Sequence, residues 1–138
     1  VKLFATDDFS WWLPGRRFDE VMPLSFASAL REVKPHIVLC SWMPMGSDWT
    51  GTFRRCPTVD EYILLGEAYD GSCGHNWQTW GNPDFAPVAS TEPSHSPDLP
   101  AAPHVLEGFE AFELRQVSRW MLSRFSADED DSHEGYSS

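Results

Sequence analysis

Runs of apolar residues, separated by polar turns that contain proline and glycine, predict an α/β fold for this chain. Residues 37–40 are apolar without a break, and residues 62–65 repeat the pattern, so both predict strands that are buried on both faces of a parallel sheet. Residues 1–5 predict another strand, which ends close to two carboxylates. Residues 21–24 predict a short edge strand, because a proline within the run cannot donate to a sheet.

Apolar residues at helical spacing predict two helices that connect these strands. The first helix has an apolar face made of residues at i, i+3, i+4 and i+7: Phe26, Ala29, Leu30 and Val33. Ser25 is its expected N-cap, and Pro35 ends it. A shorter helix is expected after Asp48, with Trp49 and Phe53 four positions apart, and it ends near residue 55. The expected core comprises Phe26, Ala29, Leu30, Ile37, Val38, Leu39, Ile63, Leu64 and Leu65.

The order of these elements predicts a Rossmann-like, mostly parallel sheet with crossover helices. We expect residues 1–81 to form this core and residues 82–104, which are rich in proline, to form a loop or linker. Residues 105–125 predict a strand or a competing amphipathic helix of the same domain, and residues 126–138 predict a disordered acidic tail. The chain begins at Val1 inside a strand and without an initiator methionine, so we expect the sheet to be incomplete at both ends.

The composition of the chain indicates which partners and which cellular compartment to expect. The 138 residues carry a formal net charge of −11, which disfavours binding to the phosphates of duplex nucleic acid. No apolar stretch reaches the roughly 20 residues that span a bilayer, so we expect no membrane partner. The three cysteines have no paired spacing, which predicts free thiols and an intracellular, cytoplasmic location. Cys56, Cys73 and His75 could be zinc ligands, but without a C-x-x-C spacing we predict no metal site.

Ligands of open α/β sheets bind beyond the carboxyl ends of the strands. The residues that directly follow the strand at 37–40 are therefore predicted to form the floor of a site: Ser41, Trp42, Met43 and Pro44. Glu67 follows the next strand, where it could be a general base, a substrate clamp or a helix cap. His75 could be a base near neutral pH or an exposed loop histidine. Trp77 and Trp80 are predicted to cover a hydrophobic edge, with substrate stacking as the alternative.

Several of these segments together resemble the class I (Rossmann-like) S-adenosylmethionine-dependent methyltransferases. In order along the chain, they are similar to the second to sixth strands of that family: Val1-Lys-Leu-Phe-Ala-Thr-Asp-Asp8, Leu24-Ser-Phe-Ala-Ser-Ala-Leu30, Leu39-Cys-Ser-Trp-Met-Pro44, Glu61-Tyr-Ile-Leu-Leu-Gly-Glu67 and Gly108-Phe-Glu-Ala-Phe-Glu-Leu114. The run also resembles a group of uncharacterised plant and algal proteins assigned to this superfamily. The family's glycine-rich loop after its first strand is absent from these residues, which would place it before Val1.

The resemblance implies a site for S-adenosylmethionine and a methyl acceptor that is a small molecule or a protein. It assigns Asp7 or Asp8 to the ribose hydroxyls, and it places Ser25, Phe26 and Cys40 beside the cofactor. The resemblance also implies which residues face the methyl acceptor: Ser41, Trp42, Pro44 and Glu67. Trp42 and Met43 stand where this family commonly has proline, which departs from the pattern of the amino-group methyltransferases.

A second resemblance supports a function of a different class. Residues 29–46 are similar to the phosphoacceptor region of two-component receiver domains, and Asp7 and Asp8 resemble the acidic pair of that family. Ser41, however, occupies the position of the phosphoacceptor aspartate. The alternative to an enzyme is therefore a non-catalytic interaction module, either methyltransferase-like or a degenerate receiver. Nothing in the sequence predicts the oligomeric state.

Overall fold

The computed structural model describes residues 1–10, 18–88 and 100–114. Short strands and helices follow one another along these ranges, with a turn of 3-10 helix at Pro83–Phe85. The elements, in order, are β1 (Ala5–Asp7), β2 (Val21–Pro23), α1 (Phe26–Val33), β3 (Ile37–Ser41), α2 (Thr50–Arg55), β4 (Glu61–Leu65) and α3 (Pro103–Leu106). This mixture of helices and strands is an α/β arrangement.

The strands form two parallel pairs. β1 pairs with β2, with Ala5 opposite Val21, and β3 pairs with β4, with Ile37 opposite Glu61 and Ser41 opposite Leu65. Within the described ranges each sheet has two strands. α2 lies in the connection from β3 to β4, as expected for parallel neighbours, which cannot be joined by a tight hairpin.

The helix α1 forms as its sequence predicts. The Ser25 hydroxyl accepts a hydrogen bond from the Ser28 N–H (3.2 Å), so Ser25 is the N-cap. At the other end Lys34 adopts a left-handed conformation (φ 49°) and its N–H bonds to the Leu30 carbonyl (3.1 Å). This termination agrees with the exclusion of helical dihedrals before Pro35.

The hydrophobic core lies between α1, α2 and one face of the β3–β4 sheet. Its buried residues are Leu30, Cys40, Met43, Phe53, Val59 and Cys73, and the partly buried residues packed on them are Phe26, Val38, Trp49, Cys56, Tyr62, Leu64 and Trp80. Phe26 stacks on Trp49 with ring centroids 4.5 Å apart. Residues 100–114 contact this body through Phe109, which packs on Tyr62 (5.4 Å between centroids).

The prediction that β3 and β4 are buried on both faces is wrong. Ile37, Leu39 and Leu65 were expected in the core, yet 58%, 61% and 49% of their surfaces are exposed. The helices of the described residues cover only the opposite face, which carries Val38 and Cys40. An apolar run therefore identified the strands correctly but overstated how much of them is covered.

Two other strand predictions also need correction. β1 covers Ala5–Asp7 and does not span residues 1–5, so Asp7 lies in the strand and Asp8 follows it. Residues 109–114 form neither a strand nor a helix. The competing helix at Val117, Trp120 and Met121, and the acidic tail, lie outside the described residues.

Substituting Gly66 with alanine is expected to lower the free energy of unfolding by about 1–3 kcal/mol, the usual cost of overpacking a core. A Cβ at this position would overlap the Cys73 Sγ and lie 3.2 Å from the Cys73 Cβ. Cys73 is almost fully buried in the core, where close packing makes a displacement of its side chain costly. Urea unfolding measures the loss, and Cys73→Ala should recover part of it in the double variant.

Gly51→Ala is the matched control for this substitution. Its Cβ would meet only the flexible end of the Arg55 side chain, 3.0 Å from Nη1, and alanine favours the helical backbone of α2. We expect a change in stability of less than about 1 kcal/mol. Equal losses for the two variants would contradict the close approach of Gly66 to Cys73.

Candidate functional site

The chain turns sharply where β3 ends, and this turn exposes a tryptophan. Trp42 follows Ser41, the last residue of β3, and adopts a left-handed backbone conformation (φ 56°) that is uncommon for a bulky residue. Its N–H still donates to the Leu65 carbonyl at the end of β4 (2.7 Å). As a result 61% of Trp42 is exposed, while only 2% of the next residue, Met43, is.

Backbone hydrogen bonds attach this turn to a second loop. The Met43 carbonyl accepts from the Gly74 N–H (3.0 Å), and the Gly74 carbonyl accepts from the Gly46 N–H (2.8 Å). Gly74 has a φ of 67°, and the side chain of Thr79 lies behind it, so another residue would be strained and crowded there. Pro44 lies within the turn, and its carbonyl accepts from the Ser47 N–H (3.1 Å).

A shallow cavity of about 280 Å³ lies between these two loops, beside the carboxyl end of β3. Its lining residues are Met45, Gly46, Gly71, Gly74, His75, Asn76 and Phe85. The predicted catalytic residues Ser41, Trp42 and Pro44 precede this lining in the chain and are not part of it. The cavity walls combine apolar side chains with two polar ones.

The two polar side chains of the lining present different groups. His75 Nδ1 accepts a hydrogen bond from the Gln78 N–H (3.1 Å), so the proton of the neutral ring lies on Nε2. In this tautomer His75 offers a donor, and the predicted role as a base would require the ring to release Gln78. The Asn76 Oδ1 is buried and has no hydrogen-bond partner among the described residues.

Buried hydrogen bonds behind the cavity fix the position of His75. Its backbone N–H donates to the Thr79 hydroxyl (3.0 Å), which donates to Asp48 Oδ1 (2.9 Å). The Thr50 hydroxyl also donates to Asp48 Oδ1 (2.6 Å) and accepts from Arg54 Nη1 (3.0 Å). Thr50 and Thr79 are buried, so these bonds satisfy hydroxyls that water cannot reach.

Arg54 extends the same network to the C-terminal segment. Its guanidinium donates to the Tyr62 hydroxyl (3.2 Å) and to Glu107 Oε1 (3.3 Å), and its side chain is 2% exposed. Burial disfavours an isolated charge, and the bonds to Tyr62 and Glu107 compensate for that cost. The network therefore holds the cavity, α2, β4 and residue 107 in one arrangement.

The predicted cofactor residues lie in two places. Asp7 is the last residue of β1 and Asp8 follows it. Each carboxylate accepts from the N–H two residues ahead, Asp7 from Phe9 (2.7 Å) and Asp8 from Ser10 (2.9 Å). The bond from the Ser10 backbone holds the pKa of Asp8 below its usual value. Both side chains are exposed. Their local geometry is that of turn-stabilising carboxylates, which leaves their surfaces open to a ligand.

The remaining predicted site residues have structural contacts. Ser25 caps α1, and Phe26 packs on Trp49 in the core. Burial, assisted by the nearby Cys73, raises the pKa of Cys40 to about 11, so this thiol stays protonated at neutral pH. Glu67 follows β4, and its Oε1 accepts from the Tyr69 N–H (3.2 Å), which is a turn contact.

Sequence reasoning missed most of the cavity lining. Gly46, Gly71 and Gly74 all have positive φ values, and their clustering around a strand end was a signal of two sharp turns. Asn76 and Phe85 carried no comparable signal, because they reach the cavity only through the fold of the 71–85 segment. Trp77 and Trp80 are buried or packed on the core, as the hydrophobic-edge interpretation predicts.

Comparison of the chain with known protein families, with curated proteins and with solved structures found no match. Within the described residues, no helix has the length and apolar character needed to cross a bilayer. In the same part of the chain, no group of three or more histidine, cysteine, aspartate or glutamate side chains is arranged to hold a metal ion. The site therefore has to be interpreted from its own geometry.

Proposed function

We propose that this chain is part of an S-adenosylmethionine-dependent methyltransferase-like domain that acts on a small-molecule or protein acceptor. One observation carries the proposal: the chain that leaves the carboxyl end of β3, which is paired in parallel with β4, first exposes Trp42 and then lines a cavity with Met45 and Gly46. This is the edge at which open α/β sheets bind their ligands. The resemblance of the strand segments to the methyltransferase family gives the proposal its reaction class.

The exposed carboxylates at the end of β1 support a site for the ribose of the cofactor. Asp7 and Asp8 are at a strand end, and both side chains are exposed to solvent. Hydrogen bonds from the N–H groups two residues ahead hold each carboxylate in position. Carboxylate oxygens at such a position accept hydrogen bonds from ribose hydroxyls in dinucleotide-binding sheets. When bound, S-adenosylmethionine supplies an activated methyl group on a sulfonium sulfur.

The turn after β3 fits the acceptor side of the same reaction. Methyl transfer depends mainly on orientation, because the acceptor atom must approach the methyl carbon in line with the bond that breaks. Trp42 offers a ring against which an acceptor can pack. The hydrogen bond from the Gly74 N–H to the Met43 carbonyl holds the backbone next to Trp42 in place. Glu67, after the neighbouring strand, would orient the acceptor or take its proton.

Titration calorimetry with S-adenosylmethionine tests the cofactor half of the proposal. We expect the double variant Asp7→Ala/Asp8→Ala to bind at least about tenfold more weakly, a loss of about 1.4 kcal/mol. Trp42→Ala should leave this affinity nearly unchanged, since Trp42 is assigned to the acceptor. The measurement belongs on the longest chain that the coding sequence supplies, because the family's glycine-rich loop would also contact the cofactor.

Asp70→Ala is the matched control for the carboxylate variants. Asp70 is exposed and accepts from the Ser72 N–H (2.9 Å), so it makes the same turn contact at a different place. We expect it to bind S-adenosylmethionine like the unaltered protein. Absence of binding, or equal affinity for all the variants, would contradict the cofactor assignment.

The second candidate function is a non-catalytic interaction module. The exposed apolar residues Ile37, Leu39 and Leu65 favour it, because such a face on a parallel sheet is suited to contact with other polypeptide. An upstream glycine-rich loop together with cofactor binding supports the enzyme. A protein that lacks both but still presents this face supports the module.

A further inference from the structure

The cavity beside the end of β3 is formed by two loops that carry only one sign of fixed charge. Residues 41–48 and 66–86, which contain all of its lining residues, include no lysine or arginine. The carboxylates of these two segments are Asp48, Glu67, Asp70 and Asp84. Because an exposed charge acts over about 10 Å at 0.1 M salt, the opening lies in a negative field that attracts cations and repels anions.

One of these carboxylates is available to a ligand. Asp84 directly precedes Phe85, which lines the cavity, so their Cα atoms lie about 3.8 Å apart. Asp84 is exposed, and within the described residues only its backbone N–H is bonded, to the side chain of Asn82 (3.1 Å). The other three carboxylates each accept from the N–H two residues ahead. Asp84 is therefore the carboxylate that a bound cation would meet.

The apolar walls suit a cation that carries carbon substituents. Phe85 and Met45 line the cavity and are 53% and 74% exposed. An aromatic face attracts an ammonium group, and a thioether packs on apolar carbon. A bare metal ion is a poorer match, because it needs several ligands, and the described residues contain no group of acidic, cysteine or histidine side chains that could hold one.

Two polar features of the walls also favour positive charge. The Asn76 Oδ1 is buried and has no donor among the described residues, so its partial negative charge is not offset. In glycine-rich turns, backbone N–H groups commonly bind anions. Here, however, the N–H groups of Gly46 and Gly74 already donate to the carbonyls of Gly74 and Met43, so these two amides are not available to an anion.

The size of the cavity limits how much of a ligand it holds. Its volume of about 280 Å³ is at the lower end of the range for small-molecule sites, roughly 300–1,000 Å³. This volume suits a head group or a single side chain better than a nucleoside cofactor.

We propose that this cavity binds an organic ammonium group, with Phe85 and Met45 against its carbon substituents and Asp84 as its counter-charge. Binding of the ammonium group requires no S-adenosylmethionine. Under the proposed function this group would belong to the methyl acceptor, and that assignment alone rests on the proposed function.

An NMR titration of the 138-residue chain without S-adenosylmethionine tests the site. The two probes are choline and 3,3-dimethyl-1-butanol, which has the same shape without the positive charge. We expect choline to shift the amide signals of Gly46, Gly71 and Gly74 and to bind at least about fivefold more tightly than the neutral alcohol. Raising the salt concentration from about 50 to about 500 mM should weaken the binding of choline alone.

Substitutions at the two proposed contacts test which residues bind the probe. Asp84→Asn and Phe85→Leu should each weaken choline binding about threefold. Asp60→Asn is the matched control, because Asp60 is exposed and precedes β4 at its amino end. The five residues of β4 span about 16 Å, so Asp60 lies beyond the range of the screened charge, and we expect choline binding to be unchanged.

Three results would overturn the inference: no shift of the cavity glycines with choline, equal affinity for the two probes, or an equal loss with Asp60→Asn. The comparison of the probes uses the unaltered chain, so it holds even if a variant fails to fold. A normal choline response without S-adenosylmethionine binding would contradict the methyltransferase and leave this site in place. Cofactor binding without a choline response would do the reverse.

Discussion

Phe53→Ala is expected to lower the free energy of unfolding by about 3–5 kcal/mol, the range for removing a buried aromatic ring. Only 2% of Phe53 is exposed, and its ring contacts Phe26 of α1 edge-on (6.3 Å between centroids) and Tyr62 of β4 (5.8 Å). The cavity left by alanine would therefore remove contacts of α2 with both α1 and β4. Because small domains are stable by only about 5–15 kcal/mol, the variant should be partly unfolded at moderate urea concentrations.

Phe112→Ala provides the matched control for the loss of a phenyl ring. Phe112 is 78% exposed, so its removal creates no cavity and should change stability by less than about 0.5 kcal/mol. Urea unfolding followed by circular dichroism and tryptophan fluorescence compares the two variants. A similar midpoint for both would show that α1, α2 and β4 are not held together through Phe53.

Asp48→Ala is expected to cost about 1–3 kcal/mol. It removes the acceptor of the first N–H of α2, and it leaves the buried hydroxyls of Thr50 and Thr79 with only their longer bonds to the carbonyls of Gln78 (3.3 Å) and Ser47 (3.4 Å). The carboxylate accepts from the Thr50 N–H (3.2 Å) and from the hydroxyls of Thr50 (2.6 Å) and Thr79 (2.9 Å). Thr79 in turn receives the His75 N–H, so the loop that lines the cavity should loosen with the helix. Thermal unfolding measures the loss, and amide exchange at His75 reports the loosening.

The control for this loss is Asp70→Ala, which removes a carboxylate from an exposed turn. Its bond to the Ser72 N–H is open to water, so we expect a change of less than about 0.5 kcal/mol. Thr79→Ala combined with Asp48→Ala should cost less than the sum of the two single losses, because the double variant leaves no buried hydroxyl at position 79. Additive losses would place Asp48 and Thr79 in separate interactions.

The elements with strong local patterns could be predicted from the sequence. The helical spacing from Phe26 and the cap at Ser25 located α1, and the apolar runs located β3 and β4 within one or two residues. β1 was displaced, because the apolar residues that precede it, such as Leu3, lie in exposed chain before the strand begins. The run at β3 could not reveal which faces are covered, since covering depends on elements elsewhere in the fold.

The sequence predicted a turn at the end of β3, but it did not predict most of the residues that line the cavity beside it. The rule that sites follow strand ends identified the turn at Trp42 from sequence alone. Asp48 was expected only to precede a helix, because its bond to Thr79 joins residues 31 positions apart and leaves no local pattern. The same is true of Arg54 and Glu107, which are 53 positions apart.

The two backbone bonds at Gly74 have a consequence for how the cavity would recognise a ligand. The bonds from Gly74 to Met43 and from Gly46 to Gly74 join the opposite walls directly, so neither wall can move outward alone. A ligand would meet a preorganised surface and would spend little of its binding free energy on ordering the chain. Selection at this cavity would then rest on the shape of a rigid opening, and poorly fitting ligands would be rejected because the walls do not adapt to them.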